Sequence, residues 1–211
     1  MKSFLVGIGG GTGAGKTTLA GKLVARLGAA RVVVLQHDDY YRDLSSLAPA
    51  ARGAVNFDAL EALETELLVE HLHALRGGQS ILAPVYDFGS HTRLDDWRVL
   101  TPRELVLLEG TLVLADPALR NLLDLRVYVD APRPTRLARR LTRDVAERGR
   151  DVSSCLEQHW QRVWPMHDVF VEPSLHHADV VVTGDAISAE VVASLAERID
   201  KSVSAAKSAA A

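Results

Sequence analysis

The stretch Gly10–Thr18 reads "GGTGAGKTT". An apolar run, Phe4–Ile8, precedes it, and Leu19, Leu23 and Leu27 follow on one helical face. Gly10, Gly15, Lys16 and Thr17 satisfy G-x-x-x-x-G-K-[ST] in the strand-then-helix setting that the motif needs. The glycines let the backbone from Gly10 through Gly11, Thr12, Gly13, Ala14 and Gly15 to Thr18 wrap a β-phosphate with no Cβ in the way. The helix N-terminus adds its dipole. Lys16 neutralises charge on the β- and γ-phosphates, and the Thr17 hydroxyl is placed to ligate Mg²⁺. The blander reading is a turn that merely tightens strand–helix packing, and the full motif in this context outweighs it. The expected ligand is ATP or GTP with Mg²⁺. The motif alone does not separate a kinase from a switch GTPase or a motor.

Working outward, Arg31–Gln36, Glu104–Leu108, Leu125–Asp130 and Ala178–Thr183 repeat the pattern of Phe4–Ile8: short, rich in Val and Leu, without clean alternation. Such runs suit a parallel sheet covered on both faces. Helical periodicity spans Ala59–Arg76 and Pro134–Glu147. Alternating strands and helices predict an α/β fold, a P-loop NTPase sandwich with a five-stranded parallel sheet. Ser80–Val85 and Trp97–Thr101 break the rhythm and predict a small antiparallel hairpin. One domain is expected over residues 1–203, and the low-complexity tail at 204–211 is expected to fray.

Composition narrows the function class. The chain has 211 residues, 47% of them hydrophobic, which suits one full core. The net charge of −3 gives no global sign of a nucleic-acid binder. Cys155 is the only cysteine, so no intrachain disulfide forms, in keeping with a reducing cytoplasm. No apolar run approaches a membrane span, and "FLVGIGGG" is too short and glycine-rich for a signal peptide. A cytoplasmic protein without membrane partners is the expectation.

In open α/β sheets ligands sit beyond the carboxyl ends of the strands. Asp38 and Asp39 follow the second strand, in "QHDDYYRD". Phosphoryl transfer to a hydroxyl needs a carboxylate there to orient the acceptor and take its proton. Spacing alone does not choose between the two. Glu109 ends an apolar run as a Walker-B acid does, placed to hold Mg²⁺. Asp130 reads as a strand-end cap. Arg133–Arg150 is crowded with arginine. Arg136, Arg140 and Arg143 share one helical face, and "ERGR" supplies a glycine between Arg148 and Arg150. Beside a phosphate loop, an arginine-rich helix–Gly–helix suits a lid that closes over the transferring group, residues 140–158. Arg133, Arg136 and Arg139 read as solvated decoration. His71, His73, His176 and His177 lack metal-site spacing.

The segment Pro84–Arg93, "PVYDFGSHTR", crowds aromatics into a chain that is only 5% aromatic. With "GGTGAGKTT", "DDYY", "NFD", "LLEG", "RRLTRDVAERGRD" and "ADVVVTGD" it forms an ordered set that resembles the uridine kinase (uridine–cytidine kinase) family of P-loop nucleoside kinases, from Phe4 to Thr183. The resemblance implies a small-molecule nucleoside acceptor, with Tyr86 and Phe88 packing on the pyrimidine and His91 bonding its polar edge. It assigns Asp38, not Asp39, as the base on the 5′-hydroxyl. Asp58 would bind ribose, and Arg140, Arg150 and Gln158 would sit on the substrate side. Arg143 and Arg148 would face the phosphates, and Asp185 would lie near the adenine. It also implies that the chain can form a homo-oligomer. A vicinal diol suits a carboxylate such as Asp58, and a neutral imidazole serves either a carbonyl or an amino edge. The family continues "NFD" with His-Pro-Asp-Ala-Phe-Asp, whereas Asp58 here is followed by Ala59-Leu60-Glu61-Ala62-Leu63-Glu64. Rival acceptors within the superfamily are phosphoribulose and pantothenate. A nucleotide-binding regulatory protein without acceptor chemistry is the rival from another class.

Overall fold

The computed structural model describes residues 2–210. Strands β1 (Phe4–Gly9), β2 (Val32–Gln36), β5 (Leu105–Glu109), β6 (Leu125–Asp130) and β7 (Val180–Thr183) form one parallel sheet in the order β2-β5-β1-β6-β7. Alternate residues of each inner strand serve opposite cores. Leu105 and Leu107 face the layer that holds Leu19, Leu23 and Ile199, while Val106 and Leu108 face Leu68, Leu72 and Leu75. Both faces being covered is why the strands read as continuous apolar runs. The helices Lys16–Leu27 and Ala189–Ala210 cover one face, and Thr65–Arg76 covers the other. Among the described residues no helix is long and apolar enough to cross a membrane.

Strands β3 (Ile81–Asp87) and β4 (Thr92–Leu100) form a separate antiparallel pair. The expected antiparallel hairpin is present, but its strands reach further into the loop between them than Ser80–Val85 and Trp97–Thr101 predict. Most of "PVYDFGSHTR" lies in the strands, with a register shift between Pro84 and Tyr86 that hid the alternation. Only Phe88–His91 turns the chain, its bend fixed by Asp87 accepting the N–H groups of Gly89 and Ser90.

Two helical expectations also change. The helix predicted from Ala59 begins at Thr65. Before it, Leu60–Ala62 makes only a 3-10 turn, and the next two residues are held by distant partners: Leu63 bridges Tyr41, and the Glu64 N–H donates to the Tyr40 carbonyl at 2.8 Å. The tail, expected to fray from residue 204, is helical as far as Ala210. Alanine is the strongest helix former, and Lys207 ties this last turn to Glu104. Ala211 lies outside the described residues.

Candidate active site

The phosphate loop is a backbone construction. Gly10 (φ +135°) and Gly13 (φ +75°) adopt left-handed conformations, and a Cβ at either would lie 2.3 Å from a carbonyl oxygen, of Val129 and Arg136 respectively. The Ala14 N–H donates back to the Gly11 carbonyl at 3.0 Å, and the Ala14 methyl is sunk in the core. Gly15 then caps the helix that starts at Lys16. The Lys16 ammonium is held at the mouth by the Gly11 carbonyl (3.0 Å) and Thr111 Oγ1 (3.3 Å). Burial lowers its pKa, opposed by the charges of Glu109 and Asp38. Thr17 Oγ1 donates to Glu109 Oε1 at 2.9 Å. Burial raises the Glu109 carboxyl, opposed by Lys16. Glycine alone fits these two turns, since a Cβ at either would collide with backbone packed against the loop, and the glycine loop that results fits a triphosphate. The hydroxyl–carboxylate pair is the hard oxygen set that Mg²⁺ takes.

The three arginines read as decoration behave otherwise. Arg136 is buried beneath the loop, where its Nε donates to the Ala131 carbonyl at 3.0 Å and its terminal nitrogens lie 3.2 and 3.1 Å from the His167 ring nitrogens. The helix periodicity could not show that the face carrying Arg136 points at glycines. Arg139 pairs with Asp185 at 3.1 Å and donates to the Gly184 carbonyl at 3.3 Å. Arg133 bridges Asp168 and Glu172 and lies over the Trp164 ring at 3.9 Å. His167, Asp168 and Glu172 group their donor atoms within 4.8 Å of one another, but Arg133 and Arg136 already occupy them. Asp185 stays outside the cleft, beside the loop next to Gly184, where Thr135 Oγ1 also approaches it at 3.5 Å.

The cleft itself lies beside the phosphate loop and is open to solvent. The register pair Gln36↔Glu109 brings the ends of β2 and β5 together at its floor. Beyond β2 the chain makes a tight turn, His37–Tyr40, that sends successive carboxylates in different directions. Asp38 enters the cleft. Asp39 is buried and ion-paired with Arg98 on β4. The geometry thus separates two residues that the sequence spacing left equal. His37, sealed beside Asp38, is pushed by burial to a pKa of about 4 and is neutral at physiological pH.

Thr12, Lys16 and Thr17 line one end of the cleft, and Asp58, Tyr86, Phe88 and His91 line the other. Two residues there were not singled out from the sequence. Tyr41 packs edge-on against Phe57, with centroids 5.3 Å apart, and also contacts Tyr86 at 5.3 Å. Both sit in quoted motifs, "DDYY" and "NFD", so the signal was present. His91 stacks on Phe57 at 4.7 Å with planes 17° apart. It is held at φ +56°, an unusual conformation for a non-glycine residue and one that clusters at ligand sites. The Tyr86 hydroxyl is buried with no hydrogen-bond partner among the described residues. Burial raises the Asp58 carboxyl, and Arg140 opposes the rise.

The fourth wall is the arginine helix and its turn. Arg140, Arg143, Arg148 and Arg150 all reach the cleft, and Arg148 lies over the Phe88 ring at 4.3 Å. They converge on one carboxylate missed in the sequence, Asp144, whose side chain is 0% exposed. Its oxygens lie 2.9 Å from Arg143, 3.4 Å from Arg140, 3.5 Å from Arg148 and 3.7 Å from Arg150. Gly149 (φ +60°) turns the chain back so that the N–H of Arg150 donates to the Asp144 carbonyl at 3.1 Å. Gln158 Oε1 accepts from Arg140 at 2.8 Å and from Arg150 at 3.2 Å.

Residues 5–188 match the family described as Phosphoribulokinase / Uridine kinase. The chain belongs to this family. Members similar to it include a uridine kinase of Chloroflexus aurantiacus, 40% identical over 202 residues, covering 96% of this chain and 97% of the relative. Another is a uridine kinase of Halalkalibacterium halodurans, 40% identical over 181 residues and 86% of each chain. Among solved structures, a putative fructose transport system kinase from Silicibacter sp. TM1040 superposes with a TM-score of 0.70 at 21% identity, over 86% of this chain and 90% of that one. Phosphoribulokinase from Rhodobacter spheroides does so with a TM-score of 0.61 at 18% identity, over 89% and 75%. These two likenesses establish the shared family fold.

Proposed function

We propose that the protein is a nucleoside kinase that transfers the γ-phosphate of ATP or GTP to the 5′-hydroxyl of uridine or cytidine. The product, UMP or CMP, places the reaction in pyrimidine salvage. The observation that carries this reading is the position of Asp38. It stands in one cleft between the phosphate cradle and an aromatic pocket that also holds a carboxylate, Asp58. The relatives at 40% identity named uridine kinase support the same acceptor.

Asp38 accepts the proton of the attacking hydroxyl and orients its oxygen. Asp58 accepts hydrogen bonds from the ribose diol. Tyr86 and Phe88 give the pyrimidine an apolar slot, and His91 meets its polar edge. Burial, together with the charges of Arg150 and Arg148, lowers the His91 pKa, so it meets the base as a neutral imidazole. Lys16, Arg143 and Arg148 stabilise charge on the transferring group. Arg140, Arg150 and Gln158 hold the acceptor side, and Asp185 with Arg139 borders the space for the purine of the donor. Mg²⁺ held by Thr17 and Glu109 would neutralise charge on the phosphate oxygens. Residues 140–158 close over the centre and exclude water.

The test is incubation with Mg·ATP and each of uridine, cytidine, ribulose 5-phosphate and pantothenate, with the product's phosphorylated position read by ³¹P NMR. A 5′-monophosphate formed from uridine or cytidine alone is the expected result. Transfer to another acceptor, or to none, sinks the reading.

A further inference from the structure

The loop that carries Asp58 is clamped from the lid side by a residue with no assigned role. Between Gly53 and Asp58 the chain has little regular structure of its own. Two side chains from elsewhere take its backbone carbonyls. Tyr41 Oη donates to the Phe57 carbonyl at 2.9 Å. Arg162 Nη1 donates to the Gly53 carbonyl at 3.2 Å and to the Val55 carbonyl at 3.1 Å. Arg162 lies one helical turn beyond Gln158, which itself bridges Arg140 and Arg150. A helical path therefore runs from the lid arginines through Gln158 to Arg162, and from Arg162 to the loop that presents Phe57 and Asp58. The Arg162 charge also reaches Asp58 and favours its ionised form.

We propose that Arg162 is a positioning residue for the acceptor site, fixing the Gly53–Asp58 loop so that Asp58 and Phe57 meet the nucleoside in register with the lid. A guanidinium suits the task because its Nη1 carries two N–H groups held in plane, one for each of these carbonyls, and a charged donor makes the stronger bond. An ammonium keeps the charge and the donors but not the planar geometry that aims them, so lysine restores the clamp in part.

The kinetic arm of the test rests on the proposed kinase activity. In Arg162→Met, the KM for uridine or cytidine rises about tenfold, the worth of a lost charge-assisted bond, while the KM for ATP holds. Arg162→Lys falls between wild type and Met. A rise in both KM values, or in neither, overturns the proposal. A second arm needs no activity. Hydrogen exchange of the free protein should show faster exchange at residues 54–58 in Arg162→Met, with Gly10–Thr18 unchanged. Equal exchange at 54–58, or faster exchange throughout, overturns it. If the wild-type protein phosphorylates neither nucleoside while the loop still loosens in the variant, the kinase reading has failed and the clamp stands.

Discussion

The two ends of the cleft are built on different principles. The phosphate end is one contiguous segment, Gly10–Thr18, in which backbone geometry does the recognition and glycines at positive φ make it possible. The acceptor end gathers Tyr41, Phe57, Asp58, Tyr86, Phe88 and His91 from separate segments, and side chains do the recognition. Its aromatics already pack on one another, with His91 on Phe57 and Arg148 on Phe88. A nucleoside that enters must slide between rings that already pack on one another. The phosphate end is preorganised by its chain, whereas the acceptor end is preorganised by contacts that a single substitution can loosen.

The sharpest way to separate the two ends is Lys16→Ala. The kcat should fall roughly 10²–10³-fold, as when one preorganised donor to transition-state charge is lost. Nucleoside binding, measured by titration calorimetry without ATP, should stay near wild type. Weakened nucleoside binding would join the two ends into one unit.

The arginine wall lies between them, and Asp144→Asn tests what holds it. Removing the carboxylate leaves four arginines without the buried charge on which they converge. Breaking a buried pair costs about 3–5 kcal/mol, which for a chain this size lowers Tm by roughly 6–20 °C. Mg·ATP should then raise the Tm of the variant more than that of wild type, because phosphate replaces the lost charge. An unchanged Tm would mean that the arginines organise themselves.

The smallest effect concerns pH. His91 sits below its usual 6.5 because burial and the Arg150 and Arg148 charges disfavour the protonated ring. A lowered pKa keeps the ring neutral as pH falls toward 6.5, so protonation of His91 belongs to lower pH. Between pH 7.5 and 6.5 the kcat/KM for the nucleoside should change less than about twofold. A steep limb in that window that His91→Gln abolishes would place its titration there after all.

How much the sequence disclosed follows the same division. Local codes were readable: the glycine pattern, the apolar runs and the acid at the end of β5 all specify their own geometry within a few residues. What escaped depends on partners far along the chain. Ala59–Glu64 has helical periodicity, yet it makes only a 3-10 turn before Tyr41 and Tyr40 capture Leu63 and Glu64. Arg136 looked solvated because nothing local shows that its helix packs on the phosphate loop. Asp144 lay unnoticed among arginines, although a lone acid inside so basic a run is itself a signal. Asp38 and Asp39 are the clearest instance: adjacent and chemically alike, they are parted only when Arg98 on β4 captures one of them.

That parting is the central claim, and the direct test is Asp38→Asn beside wild type, measuring nucleoside-dependent ADP release together with ATP binding. The account predicts release with uridine or cytidine in the wild type, a fall of about 10²–10⁴-fold in the variant, and unchanged ATP binding in both. Near-wild-type release from the variant would contradict it and take Asp38 out of the chemistry.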